Sequence, residues 1–414
     1  MRFCIFEDNH STNFLPLNYF RPVYHLRCGI FSLEERVRQF LPAKSLSFQT
    51  RPYLAPYVKE LYPNFSVNNF PEEDTWFING RVIADSNLLR ELKSSNRELA
   101  LVNGDEIVAA KVMGCNVRQI TQSWTDTADP DLFGSLPRRS VPSTLLRYPW
   151  QLIHRNTEAI EKDFGHIKKL SRSNAIQGKI CPGVHLINKK NMRIGKGAIV
   201  KPGAVLDADR GPILIDEGAT IMPNAVIEGP AYIGKHSTVK IGAKLYHGSN
   251  IGEHCKVGGE IEAAIFQSYS NKQHEGFLGH AYLGSWVNIG ADTNASDLKN
   301  NYSTVRVFLN GSQVDTGLQF LGLIMGDHSK TGINVMFDTG TIVGVACNIY
   351  GSGLPPKYIP SFSWGTGSSF ERYDLEKSLA TARIVMSRRD ISVSKTYEQL
   401  YRHIQTLALM EKKP

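Results

Sequence analysis

The chain of 414 residues contains no uninterrupted apolar run of about 18 residues, so nothing in it reads as a membrane-spanning helix. Its opening, Met1 to His10, is too short and too acidic at its end for a secretory signal, which makes the cytoplasm the expected compartment. Cysteine is sparse: Cys4, Cys28, Cys115, Cys181, Cys255 and Cys347 are scattered, with no Cys-x-x-Cys pair. That spacing argues against a disulfide framework and for reduced, structural thiols. A net charge of +8 and a pI near 9.0 would permit nucleic acid binding, but the basic residues gather in no stripe and the excess is diffuse. Anionic small molecules such as phosphosugars or coenzyme A would suit it, and so would a mildly basic surface without function. Glycine is missing from the whole of residues 1–28, a gap that bears on phosphate binding below.

What is present is a period of six. Ile194, Val200 and Leu206, then Ile215, Ile221, Ile227, Ile233, Val239, Leu245, Ile251 and Val257 are all aliphatic, and from Ile215 the step never slips. Two residues before each lies a mostly small side chain, among them Ala198, Ala204, Ala219, Ala225, Ala231, Ser237, Ala243, Ser249 and Cys255. Helices do not repeat at six. One large and one small inward residue per unit describe a short strand and a turn, and three units close a triangular coil whose stacking buries a continuous core. Residues 183–360 are therefore expected to form a solenoid.

Upstream, residues 1–170 alternate strands and helices. Arg2 to Phe6 alternates as a strand, Ser32 and Glu35 form a capping box that starts a helix to about Phe40, and strands are expected near 45–48, 76–78 and 98–102. Helical patterns near 53–62 and 87–92 complete an α/β layer with a largely parallel sheet, closed by a helix from about Trp150 to Phe164. A polar linker at 171–182 follows. The period breaks at 266–279, which reads as a loop thrown out from a corner, and a polar excursion spans 292 to about 319. Pro355, Pro356 and Pro360 end the solenoid, and 361–414 carry two amphipathic helices, from Asp374 to about Arg389 and around Tyr397 to Ile404.

The hexapeptide pattern resembles the acyltransferases whose coils form a left-handed parallel β-helix; the hand follows from that resemblance, since the general crossover rule favours the other. Gly279, His280, Tyr282, Leu283 and Gly284, followed by Asn288 to Ala291, resemble the acetyltransferase half of the bifunctional glucosamine-1-phosphate acetyltransferase/N-acetylglucosamine-1-phosphate uridylyltransferase family. Asp292 stands where that family has a Gly, and Asp297 where it has an Asn. Acetyl transfer from a thioester to an amine needs a base, and imidazole suits the task. His280 is the candidate. The resemblance implies that Tyr282 and Asn288 hold the substrate, with Lys272 meeting a sugar phosphate.

In the N-terminal half the glycine-rich phosphate loop of sugar nucleotidyltransferases is absent. Residues 14–29 fill its place and, with Asn79 to Arg81, Asn103 to Asp105 and Arg147 to Trp150, resemble a divergent group of sugar nucleotidyltransferases joined to the same β-helix. Arg21 and Arg27 would then replace the amide cradle with guanidinium forks, and Asp8 or Asp105 would hold Mg²⁺. Asp8 lies at the carboxyl end of the first strand, where open α/β sheets bind ligands.

The expected protein is a homotrimer that binds sugar phosphate, nucleoside triphosphate and acetyl-CoA. Its expected chemistry is acetylation of an amino-sugar 1-phosphate coupled to nucleotidyl transfer, giving an activated amino sugar such as UDP-N-acetylglucosamine. Two alternatives stand beside this: a non-catalytic sugar-nucleotide-binding scaffold, and a zinc enzyme like the γ-type carbonic anhydrases. The second rests on His236 and His254, one coil apart, with His247 nearby.

Overall fold

A computed structural model of the chain describes residues 1–42, 45–122, 124–170, 175–367 and 369–412. The start of the expected linker, 171–174, lies outside the described residues. The N-terminal sheet has seven strands in the order Ser66–Val67, Leu46–Phe48, Arg2–Phe6, Thr75–Asn79, Glu106–Val112, Leu99–Asn103, Arg138–Ser140. The first four run parallel, and Glu106–Val112 is antiparallel to both of its neighbours. The sheet is thus mixed where the sequence suggested a largely parallel one. The cause is local: Gly104, in the left-handed region, turns Leu99–Asn103 straight back into Glu106–Val112 as a tight hairpin. Ser32 and Glu35 form both bonds of the capping box ahead of helix Leu33–Arg38.

From Lys179 onward every third short strand pairs in parallel, building three faces of one solenoid. On one face Ile194, Ile215, Ile233, Ile251, Phe266, Leu283, Met325 and Val343 align rung upon rung, all buried. This register is the structural form of the six-residue period. It also corrects one expectation. Residues 266–279 are no loop thrown outward, because Phe266, Asn271–Lys272 and Phe277–Gly279 are rungs of a coil whose corners are merely shorter. The excursion after Asp292 contains a hairpin, Arg306–Leu309 against Ser312–Asp315, whose Val305, Val307 and Leu309 are buried.

The residues between the inward pairs on that face point the other way. Leu214, Tyr232, Asn250, Ile265, Tyr282, Ile324 and Ile342 form an outward file, and each is buried. What covers them is the N-terminal domain with the C-terminal helices. Helix Pro149–Leu170 lies along the file, its Asn156 amide donating to Gly248 O at 2.8 Å and Ile160 and Phe164 packing on Leu214 and Tyr232. At about 2 kcal/mol for each large apolar side chain removed from water, this row alone holds the two halves as one unit. The C-terminal helices, Leu375–Ser387 and Lys395–Ala408, start at Asp374 and Ser394, whose side chains cap them. Tyr397 and Tyr401 pack against Phe20 of the N-terminal domain and His328 of the solenoid, so the helices clamp the two halves together.

One corner of the solenoid carries a column of stacked rings. His236, His254, Tyr269, Trp286 and His328 all sit in the left-handed region, φ 55° to 66°, and successive ring centroids lie 4.3 to 6.3 Å apart. Offset stacking of this kind adds about 0.5 to 1.5 kcal/mol per pair beyond burial.

Candidate functional site

His280 occupies a corner of the β-helix with φ 40°, a conformation that lifts its ring away from the coil. Nδ1 lies 2.8 Å from Asp297 Oδ2, and the imidazole is 18% exposed. A carboxylate accepts, so Nδ1 carries the proton and donates, and in the neutral ring Nε2 holds the lone pair. Gly279 makes this approach possible, since a Cβ there would fall 2.1 Å from Asp297 Oδ2. Phe320 packs its ring 5.2 Å from His280, and His154 from the long N-terminal-domain helix stacks on the imidazole at 5.7 Å. His154 donates Nε2–H to Phe320 O at 2.9 Å. Burial first, then the neighbouring His280, lowers its pKa, so His154 stays neutral near pH 7.

Asp297 is therefore the partner that orients the candidate base. In the sequence it registered only as a departure from the family's Asn, and its position 17 residues beyond His280 gave no hint of contact. His154 carried no signal at all, because the contact joins the two domains.

The other residues of the expected acetyltransferase site fall elsewhere. Tyr282 does not face a substrate: it belongs to the buried outward file, its hydroxyl accepting from Arg27 N at 2.9 Å and donating to Arg27 O at 3.2 Å. Lys272 is an inward rung residue, paired in register with Val257 and Ile289 and 1% exposed. Its Nζ donates to Gly258 O at 3.1 Å and His274 O at 2.9 Å, and burial lowers its pKa to about 8. That ammonium braces the coil and cannot reach a sugar phosphate. Asn288 is exposed and lines a small cavity of about 290 Å³ with Gln273, His274 and Thr331.

At the end of the first N-terminal strand, Asp8 and Arg21, expected to hold magnesium and phosphate, are already engaged. Asp8 accepts from Arg81 Nε at 2.8 Å, Arg81 Nη2 at 2.6 Å and Asn79 Nδ2 at 2.8 Å, in a site closed to solvent. Asp105 is an exposed hairpin tip, and its neighbour Glu106, not Asp105, joins the Arg81 cluster at 2.9 Å. No group of three or more His, Cys, Asp or Glu among the described residues has metal-holding geometry. The residues present do not fit a bound Mg²⁺. Arg21 forms a two-pronged ion pair with Asp327 of the β-helix and donates to Ser285 Oγ at 3.0 Å, so it docks domains where a fork for phosphate was expected. His236 and His254 are members of the ring column, with centroids 5.1 Å apart, and do not converge with His247 on a metal.

A larger cleft of about 810 Å³ does open beyond the carboxyl ends of the parallel strands. Asn9, Thr12, Tyr53, Asp126 and Thr127 line one side; His403 and Met410 of the C-terminal extension line the other. Tyr53 and His403 stack at 4.9 Å across it. Sequence reasoning did not reach these residues, because half of the wall arrives from the far end of the chain.

Residues 3–172 match a family model described as sugar nucleotidyl transferase. Among curated relatives, a bifunctional protein GlmU from Rippkaea orientalis is 30% identical over 162 residues, 38% of this chain and 30% of that protein. A bifunctional sugar-1-phosphate nucleotidylyltransferase/acetyltransferase from Sulfurisphaera tokodaii is 32% identical over 143 residues, 34% of this chain and 36% of that one. The matches span about a third of the length of these relatives. A solved UDP-N-acetylglucosamine acyltransferase from Campylobacter jejuni overlaps 56% of this chain and 96% of its own at 12% identity, with a TM-score of 0.19. The N-terminal match and the bifunctional relatives agree with the two-part resemblance drawn from the motifs. Among the described residues, no helix is long and apolar enough to cross a membrane.

Proposed function

We propose that the chain is an acetyl-CoA-dependent N-acetyltransferase acting on an amino-sugar 1-phosphate, joined to a sugar-1-phosphate nucleotidyltransferase domain, and that it works as a homotrimer in the cytoplasm. The observation that carries the reading is the His280–Asp297 pair, an imidazole whose Nδ1 is held while Nε2 remains available at a half-open corner. In this chemistry the substrate amine attacks the thioester carbonyl, His280 Nε2 takes the proton that the nitrogen sheds, and coenzyme A leaves as thiolate and is then protonated. Asp297 keeps the imidazole in the productive tautomer and stabilises the imidazolium formed. Asn288 is the one expected substrate contact that is exposed.

Support for the trimer comes from apolar side chains left in water: Val226 and Met336 on the face that carries neither helices nor the N-terminal domain, and Ile241 and Ile333 at the adjoining corner, 37% to 67% exposed. Such a patch suits a cyclic assembly whose acyl-CoA cleft lies between subunits. For the N-terminal half, the family match and the strand-end cleft support a nucleotide or sugar-nucleotide ligand.

The closure of Asp8 by Arg81 and of Arg21 by Asp327 favours a second reading for that half alone, in which it binds a sugar nucleotide without turning it over. One assay separates the two: release of coenzyme A thiol from acetyl-CoA with a panel of amino-sugar 1-phosphates, and of pyrophosphate from UTP, by the full-length protein. Thiol release that depends on the amino sugar is expected. Its absence with every amino sugar tested overturns the acetyl-transfer reading, and a monomeric mass by light scattering overturns the trimer.

A further inference from the structure

Four arginines of the described residues are buried: Arg27, Arg36, Arg51 and Arg81. Three have carboxylate partners, Arg36 with Asp163, Arg51 with Glu7, and Arg81 with Asp8 and Glu106. Arg27 has none, although it is only 8% exposed. Its Nη1 donates to Ile30 O, its guanidinium lies 5.4 Å over the Tyr232 ring, and its buried Nε has no hydrogen-bond partner. A charge removed from water without a counterion is costly, and the cost falls when an anion supplies the missing acceptors.

The place where those acceptors belong is a cleft of about 550 Å³ along the seam between the domains. Arg27, Phe31 and Glu35 form one wall, and Leu214, Tyr232 and Lys235 of the β-helix form the other. Three carboxylates also face it, and two of them are engaged. Glu35 accepts from Ser32 N at 2.7 Å to complete the helix cap, and Asp216 accepts from Glu217 N at 2.7 Å and Tyr232 hydroxyl at 3.2 Å. Glu253 is the third; Glu35 and Glu253 both act on Arg27 through space, and neither forms an ion pair with it.

We infer that this seam cleft binds a small phosphate-bearing anion, whose phosphoryl oxygens accept from the Arg27 guanidinium and from Lys235. A planar guanidinium edge presents two parallel donors matched to phosphate geometry. Both domains build the site, so its occupant binds only when they are docked, and occupancy stabilises the docked form. The site is separate from the His280 corner and from the strand-end cleft, and it stands whether or not the acetyl-transfer reading does.

The test is thermal unfolding of the full-length protein titrated with glucose 1-phosphate, inorganic phosphate, citrate and uncharged glucose at constant ionic strength. A saturable rise in Tm with the phosphates, and none with glucose, is expected; a rise with citrate but not with either phosphate refutes the phosphate assignment. Arg27→Gln should weaken the phosphate effect at least tenfold in apparent Kd. Glu253→Gln, which removes the opposing charge and keeps Arg27, should tighten it several-fold. Should Arg27→Gln fail to fold, the Glu253→Gln comparison decides: an unchanged Kd there, or the absence of any saturable shift in the natural protein, overturns the inference.

Discussion

The corner at His280 and the carboxyl end of the first N-terminal strand look alike in the sequence, each a polar residue with catalytic chemistry beside a family motif. In space they differ in what remains unoccupied. At the corner one nitrogen of His280 is fixed by Asp297 and the other is left available, with His154 and Phe320 packed beside the ring. At the strand end Glu7 and Asp8 are each closed by a buried arginine, and Arg21 is committed to the neighbouring domain. A reactive group is recognised by an unused valence held in a fixed direction; a scaffold ion pair has none left.

Replacing Arg21 with Met should have the largest effect on stability, because Asp327 would stay buried without its partner. A loss of about 3 to 5 kcal/mol is expected in urea unfolding. Unchanged stability together with lost nucleotide binding would move Arg21 back among ligand-binding residues and erase the contrast.

Lys272 sharpens the same comparison from inside the coil. A lysine held at about 8 when folded and near 10.4 when unfolded binds fewer protons in the folded state between those values. Stability should therefore rise as pH climbs from about 8 toward 10, by up to about 3 kcal/mol from this group. Lys272→Met should flatten that slope and leave acetyl transfer intact. A variant that keeps the slope but loses acetyl transfer would mean that the ammonium meets substrate.

Asp297→Asn should lower kcat for acetyl transfer about 10- to 100-fold, roughly 1.4 to 2.7 kcal/mol, with the folded state undisturbed. An unaltered kcat would make the pair structural, like those at the strand end. The smallest effect is expected of Tyr282→Phe, which removes two hydrogen bonds to the Arg27 backbone and should cost about 1 kcal/mol without altering the KM for the sugar phosphate.

The solenoid was legible in the sequence because its repeat is local: each inward aliphatic residue is stacked on another one coil away, and spacing alone betrays the period. Shortened corners were not. A rung residue such as Lys272 breaks the aliphatic pattern, and without the ladder to Val257 and Ile289 the segment reads as a loop. Asn103 to Asp105 resembled a ligand motif, yet the turn serves a hairpin, since Asn-Gly turns satisfy backbone geometry and ligands with the same residues. The His280 motif was found, but its partner Asp297 and its neighbour His154 were not, because both contacts depend on how distant segments dock. The outward file of Tyr232, Ile265, Tyr282, Ile324 and Ile342 held the clue to that docking, for large apolar residues on an outer face ask to be covered.

The most direct measurement is the acetyl-CoA-dependent rate of the His280→Ala protein against the natural chain, under saturating amino-sugar 1-phosphate and with unfolding midpoints matched. A fall of at least about 100-fold with the fold unchanged is the predicted result. Equal rates in the two proteins would contradict the assignment of this corner as the site of acetyl transfer.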